Sequence, residues 1–237
     1  MQVGRSMWLN EVKINDSAIS AYRKSLLSAS PKHVVIDNLF NQTKLNDIIK
    51  VLQQPNDWQT QRHTYSALYV DDSQWQKSSN EQRFVQRDSW QPETFNSNES
   101  QLNIAQGLLS YLRSDEFMAV LSRIFNVKIT DINVADPEIN TNYFRLGTAD
   151  FVEQHADDSP GREVCMLLYL NKDWNINAGG ELVFIGNEKK PTRIAPLCNR
   201  CVLFDPFSNG SEHWVEKLNS QCSDEYRYNV TSWYWSE

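Results

Sequence analysis

Four side chains in this sequence could do chemistry together. In His155-Ala156-Asp157 the first and third residues would project from one face of an extended strand, because alternate side chains point the same way. That sets an imidazole beside a carboxylate. A second imidazole, His213, follows 58 residues later in Ser211-Glu212-His213-Trp214-Val215, and Arg227 opens the segment Arg227–Trp235 a further 14 residues on. Two histidines and one carboxylate on one face of a metal make the facial triad of a non-haem Fe(II) centre. Such a centre needs a cation for an anionic cosubstrate, and a guanidinium presents a planar donor fork to a carboxylate. On a strand, Arg227, Asn229, Thr231 and Trp233 share a face, which places Thr231 to assist Arg227.

These residues need elements that bring distant strands side by side. After Lys128 the sequence reads as short strands with turn signals between them. They are Ile139–Arg145, Phe151–His155, Val164–Leu170, Glu181–Ile185, Arg193–Ala195, Arg200–Phe204, His213–Glu216 and Tyr226–Trp235. Asp158-Ser159-Pro160-Gly161, Asn177-Ala178-Gly179-Gly180, Gly186-Asn187 and Ser208-Asn209-Gly210 supply the turns. Eight strands so spaced predict a sandwich or jelly roll, which would gather His155, Asp157 and His213 at one place.

The first half reads differently. Asp16 or Ser17 caps a helix through Ala18–Leu27, and His33–Asp37 makes a short strand. Thr43 caps a helix carrying Leu45, Ile48, Ile49 and Leu52 at helical spacing. Asn56–Ser100 is polar with isolated aromatics, read as loops with a short strand at Thr64–Val70, and suited to a lid or substrate rim. Two more helices follow, one marked by Leu102, Ala105, Leu108, Leu109 and Leu112. Ser114 caps the other, striped by Phe117, Val120, Leu121 and Ile124, with Asp115 and Glu116 favourable in its first turn. The fold class is α+β, mainly β, and one domain overall: residues 1–130 form a helical layer and polar loop tract packed on a core of residues 131–237.

Composition bounds the function. The 237 residues are 40% hydrophobic and 11% aromatic, enough for a sizeable core. A net charge of −7 argues against a partner tracked through its phosphates, so no nucleic acid is expected. Met1–Arg5 has no apolar leader region and no segment reaches the length of a membrane span, giving the expectation of a cytoplasmic protein with no membrane partner. Cys198-Asn199-Arg200-Cys201 has the spacing of half a zinc site or a redox pair. Cys165 and Cys222 are scattered singles that complete no second pair, so all four are read as reduced cysteines beside strands. His33 and His63 read as surface or capping residues.

Taken together, His155-Ala156-Asp157-Asp158, Gly161-Arg162, Tyr169–Trp174, Gly179-Gly180-Glu181-Leu182, His213-Trp214-Val215 and Arg227–Trp235 resemble the double-stranded β-helix of the Fe(II)/2-oxoglutarate-dependent oxygenases. The resemblance spans Tyr143 to Trp235, with a weaker match around His33–Phe40. It is greatest to the prolyl-4-hydroxylase-like branch, specifically the Egl-nine type and its bacterial relatives. It implies that His155, Asp157 and His213 bind Fe(II), that Arg227 pairs with the 5-carboxylate of 2-oxoglutarate, and that Tyr169 donates to the same group. Tyr143, on a strand leading to the site, is the second candidate for that donor. No catalytic residue beyond the metal site is implied, and ascorbate would be a supporting reductant.

Two features depart from the family. The Arg follows the distal His by 14 residues rather than nine to eleven, which we read as a lengthened hairpin loop at Asn219–Ser223. The polar first half matches no substrate-binding segment of the family. Nucleic-acid demethylases of the superfamily carry a second Arg six residues after the first, where this chain has Trp233. The activity expected is therefore a dioxygenase hydroxylating a prolyl residue of a protein or peptide. The alternative is a small-molecule hydroxylase acting on a free amino acid or metabolite, since one barrel supports both. A non-catalytic jelly-roll binding protein is disfavoured by the intact triad and Arg227.

Overall fold

In the computed structural model, residues 8–92, 103–219 and 226–236 are described. The helices form where apolar residues recur at helical spacing behind a capping side chain. Helix α1 (Asp16–Ser28) is capped by Asn15, whose side chain accepts from the Ala18 amide, and β1 (His33–Asp37) follows. Helix α2 (Gln42–Leu52) is capped by Asn41 rather than Thr43, and buries Leu45, Ile48, Ile49 and Leu52. Asparagine at the first half-turn satisfies an orphan amide as Asp or Thr would, so the caps move by a residue or two without moving the helices.

The tract after α2 is not mainly loop. It makes a long hairpin of β2 (Trp58–Thr64) and β3 (Arg83–Trp90), with the short helix α3 (Asp72–Lys77) between them. Thr64–Val70 turns instead of extending: Thr64 and Ala67 bond each other's backbone, and Tyr69 adopts φ 55°. The β2–β3 pairing is built from polar cross-strand pairs: Thr60 on Asp88, Gln61 on Arg87 and Arg62 on Gln86. Residues 93–102, with part of the expected rim and the Leu102 mark, lie outside the described residues. Helices α4 (Ile104–Leu112) and α5 (Asp115–Phe125) follow, with Ser114 capping α5 as expected.

The remaining strands are β4 (Ile129–Thr130), β5 (Thr141–Leu146), β6 (Phe151–His155), β7 (Arg162–Tyr169), β8 (Leu182–Phe184), β9 (Thr192–Ile194), β10 (Arg200–Phe204), β11 (His213–Val215) and β12 (Arg227–Ser236). Neighbours run in the order β1-β10-β7-β12-β5-β3-β6-β11-β8-β9, with β2 on β3 and β4 on β12. All these pairings are antiparallel, and the sheet curls into the half-barrel of a jelly roll.

The parity of each strand decides what its residues meet. On β7, Val164, Met166 and Leu168 join the core beneath the helices, whereas Cys165, Leu167 and Tyr169 join the barrel interior. A strand buried on both faces reads as a continuous apolar run, which is how this one reads. On β12, Val230 and Tyr234 face the helices, so Arg227, Asn229, Thr231 and Trp233 face the interior.

Candidate active site

Register builds the site. His213 on β11 is paired directly with His155 on β6, and their ring centroids lie 4.4 Å apart. Strand β6 ends at His155, and the connector that follows brings Asp157 to the same site. Its carboxylate lies 3.9 Å from His155 Nε2 and 3.7 Å from His213 Nε2. One ligand atom from each residue lies within 4.8 Å of the others, the only such group of three found among the described residues.

The backbone sets the tautomers. His155 Nδ1 is 2.9 Å from the Glu153 carbonyl and His213 Nδ1 is 3.0 Å from the Ser211 carbonyl. Each ring therefore donates through Nδ1 and leaves the Nε2 lone pair for the centre. Burial, then the neighbouring His155, lowers the His213 pKa to about 4, so this imidazole is neutral and able to ligate. Burial pushes the Asp157 carboxyl up, but the two imidazoles, the Trp233 N–H and Arg162 outweigh it and hold it below the usual carboxylate value. Trp233 Nε1 donates to Asp157 Oδ2 at 3.0 Å, and Arg162 Nη1 donates to the Asp157 carbonyl at 2.6 Å.

Deeper in the interior, Arg227 is 1% exposed. Its Nε donates to the Gly180 carbonyl at 2.6 Å and its Nη1 to Asn229 Oδ1 at 2.7 Å. Asn229 Nδ2 in turn donates to Thr231 Oγ1 at 2.9 Å. Thr231 thus supports Arg227 through Asn229, a link that the spacing of two on a strand could have disclosed. Tyr169 lies opposite Asn229 in the β7–β12 register, its ring 4.9 Å from the guanidinium carbon. The hydroxyl lies near Arg227 without the geometry of a hydrogen bond, and both it and Arg227 Nη2 are buried without a partner.

Tyr143 does not join them. It pairs with Val230 rather than Asn229, one register step away, and so faces the helices. Its hydroxyl donates to the Ala105 carbonyl at 2.8 Å, and its ring meets Trp90 edge-on. His63 also departs from the surface role expected of it: it is 5% exposed and lines the cavity that holds His155 and Asp157. That cavity, of about 690 Å³, also includes Arg87, Arg162 and Trp233, and Tyr65, Leu68 and Tyr69 stand exposed at its rim. Cys165 and Cys201 are buried on β7 and β10, and Cys198 is half-buried just before β10. Cys222 and residues 220–225, where the lengthened hairpin was expected, lie outside the described residues.

Residues 141–235 match the model of the 2OG-Fe(II) oxygenase superfamily. This part of the chain is a 2OG-Fe(II) oxygenase domain. No curated protein matches the chain by sequence. Among solved structures, the chain is similar to a prolyl hydroxylase from Trichoplax adhaerens in complex with a hypoxia inducible factor oxygen degradation domain peptide fragment. That match has 19% identity and a TM-score of 0.63, covering 95% of this chain and 92% of the other. A Pseudomonas putida prolyl-4-hydroxylase matches at 13% identity and TM-score 0.61, covering 92% and 99%. The epimerase SnoN from nogalamycin biosynthesis matches at 8% identity and TM-score 0.56, covering 94% and 82%. At such identities the likeness is one of fold.

The family implies Fe(II) and 2-oxoglutarate, and the residues present fit both. Two imidazoles with a carboxylate are a donor set for ferrous iron, with positions left open. A buried guanidinium nitrogen and a phenol oxygen, both without partners, are what a dianion's far carboxylate would satisfy. Among the described residues no helix is long and apolar enough to cross a membrane.

Proposed function

We propose that His155, Asp157 and His213 hold Fe(II) while Arg227 and Tyr169 hold the 5-carboxylate of 2-oxoglutarate, and that the enzyme hydroxylates a prolyl residue of a protein or peptide. The observation carrying this reading is the pair of unpartnered buried donors, Arg227 Nη2 and Tyr169 Oη, in a barrel that also holds the triad. Unpaired buried donors cost free energy, about 1–3 kcal/mol each and more when charged, so a fold that keeps two together has a ligand to satisfy them.

When bound, the iron couples oxidative decarboxylation of 2-oxoglutarate by O2 to insertion of one oxygen atom into a substrate C–H bond, leaving succinate and CO2. The chain's own work is orientation and exclusion of water. The Glu153 and Ser211 carbonyls fix both imidazoles, and Trp233 and Arg162 fix Asp157. Gly180 and Asn229 aim Arg227 so that one edge of its fork stays free. The apolar wall of Leu167, Leu182, Ile194 and Val202 keeps the interior dry, which strengthens every charge interaction inside it.

A peptide substrate is supported by the rim. Tyr65, Leu68 and Tyr69 are 57%, 63% and 67% exposed beside the cavity, and exposed aromatic and apolar side chains suit an extended chain lying across a mouth. The test combines succinate formation from 2-oxoglutarate with intact-mass analysis of cellular proteins and peptides incubated with the enzyme, Fe(II) and ascorbate. His155→Ala should abolish succinate formation. Arg227→Ala should raise the 2-oxoglutarate KM by the equivalent of roughly 2–4 kcal/mol, partly recovered in Arg227→Lys, where a point charge remains without the fork. A gain of one oxygen mapped to proline supports the substrate reading. Turnover of free amino acids with no protein modified would sink it.

A further inference from the structure

The site as described leaves one half-buried cation unused. Arg87 on β3 sits directly across from Gln61 on β2, and its Nε and Nη2 both donate to Gln61 Oε1, at 3.3 and 3.2 Å. Its guanidinium carbon lies 3.4 Å from the centroid of the Phe144 ring, so one edge and one face are fixed. Among the described residues no carboxylate pairs with it and nothing accepts from Nη1. Arg87 nonetheless lines the cavity that holds His155 and Asp157.

Its neighbours do not neutralise it. Gln61 Oε1 also accepts from His63 Nε2 at 3.1 Å, and His63 Nδ1 accepts the Tyr69 amide at 3.0 Å, so that ring is a fixed neutral tautomer. Burial, then Arg87 and His155, lowers the His63 pKa to about 4. Burial draws Arg87 down to about 10, against the pull of Asp157, and it stays charged at neutral pH. Of the two carboxylates lining the cavity, Asp157 belongs to the triad and Asp158 is exposed. The other guanidinium, Arg162, is already committed to the Asp157 carbonyl. A half-buried, pre-oriented arginine that faces the cavity with no anionic partner is a built receptor for one.

We infer that Arg87 docks a carboxylate of the substrate, so that the molecule oxidised is acidic close to its reacting carbon. This rests on the proposed oxygenase reading and narrows its substrate. The carboxylate could belong to an acidic side chain beside the prolyl target or to a free acid, and the test separates the two. Protein loaded with Zn(II) and 2-oxoglutarate, which cannot turn over, is presented with a blocked peptide library of fixed central proline and random flanks, and the retained pool is sequenced. In parallel, free amino acids and dicarboxylic acids are titrated by calorimetry.

Asp and Glu should be enriched at least fivefold at one flanking position, lost in Arg87→Gln, retained in weaker form in Arg87→Lys, and inverted to Lys and Arg in Arg87→Glu. Inversion cannot come from a damaged fold. Free acids that bind only when Arg87 is present, with no acidic peptide retained, keep the docking and make the source a small molecule. The inference is overturned if no acid is preferred in either arm, if the preference survives Arg87→Gln, or if the loss falls on 2-oxoglutarate affinity instead. Wild-type protein that fails to decarboxylate 2-oxoglutarate with Fe(II) sinks the oxygenase reading separately, because the binding arms involve no turnover.

Discussion

Trp233 Nε1 donates to one oxygen of Asp157, and Arg162 holds the same residue by its backbone. A carboxylate that ligates a metal through one oxygen needs the other held, or the group rotates and its geometry is lost. Trp233→Phe keeps most of the ring's packing and deletes only the donor. We expect Fe(II) affinity to fall by about 10–100-fold, the usual cost of losing such an outer partner. The 2-oxoglutarate KM at saturating iron should move little. An Fe(II) titration followed by succinate formation reads the first, and an unchanged iron dependence would show that Arg162 alone suffices. The triad itself was legible because an imidazole two residues from a carboxylate needs only an extended backbone. Trp233 was visible as a member of the Arg227 face, but its task was not, since that depends on β12 lying beside the connector that carries Asp157.

The same logic at the level of elements explains what the sequence disclosed and what it hid. Strands β6 to β12 alternate or run apolar, so period and turn signals found them nearly to the residue. Strands β2 and β3 are joined by polar pairs such as Thr60 with Asp88 and Gln61 with Arg87, and therefore carry no apolar alternation to read. Tyr143 failed as a ligand candidate for a related reason: which face of β5 looks inward is set by pairing, and one step of register turns every side chain over. The Gly179-Gly180 turn belongs to this scale too. Gly180 holds φ +75°, and an added Cβ would lie 2.9 Å from Leu218, 3.0 Å from Trp174 and 3.1 Å from Arg227 Cδ. Its carbonyl accepts from Arg227 Nε, so displacing the turn displaces the guanidinium. Gly180→Ala should therefore cost roughly 1–3 kcal/mol of stability, by positive φ and crowding together, and raise the 2-oxoglutarate KM several-fold. Thermal melting and the KM should move together. A KM that holds while stability drops would mean that Arg227 is aimed by Asn229 alone.

At the scale of the whole molecule the question is how the helical layer and the barrel become one body. Apolar packing does most of it, through a core that runs from Ile19, Leu45, Leu108 and Leu121 to Val164, Leu168 and Val230. That contact is unspecific in register, since hydrophobic faces of suitable size pack in more than one way. Asn199 supplies the register. It is fully buried just before β10, at φ 58°, a conformation asparagine tolerates better than most residues. Its side chain accepts from the Phe40 amide at 3.1 Å and donates to the Phe40 carbonyl at 2.9 Å and to Gln42 Oε1 at 3.0 Å, gripping the entry to α2. Its own amide donates to the Tyr169 carbonyl at 2.9 Å, and its carbonyl accepts from Asn38 at 2.8 Å. One residue thus ties β1 and α2 to the strand end that carries the candidate 2-oxoglutarate donor. In the sequence it was only the second position of Cys198-Asn199-Arg200-Cys201, where the cysteines drew the eye and the asparagine did the joining. Asn199→Ala removes three side-chain hydrogen bonds of about 1 kcal/mol each and adds left-handed strain, so we expect roughly 3–4 kcal/mol of destabilisation in denaturant melts. Asn199→Gly relieves the strain but not the lost bonds, and should recover only about 1 kcal/mol. Both variants keep the backbone amide that donates to the Tyr169 carbonyl, so the 2-oxoglutarate KM should move far less than stability does. If glycine restored full stability, the backbone conformation would be what matters at this position, and the clamp on α2 would be incidental.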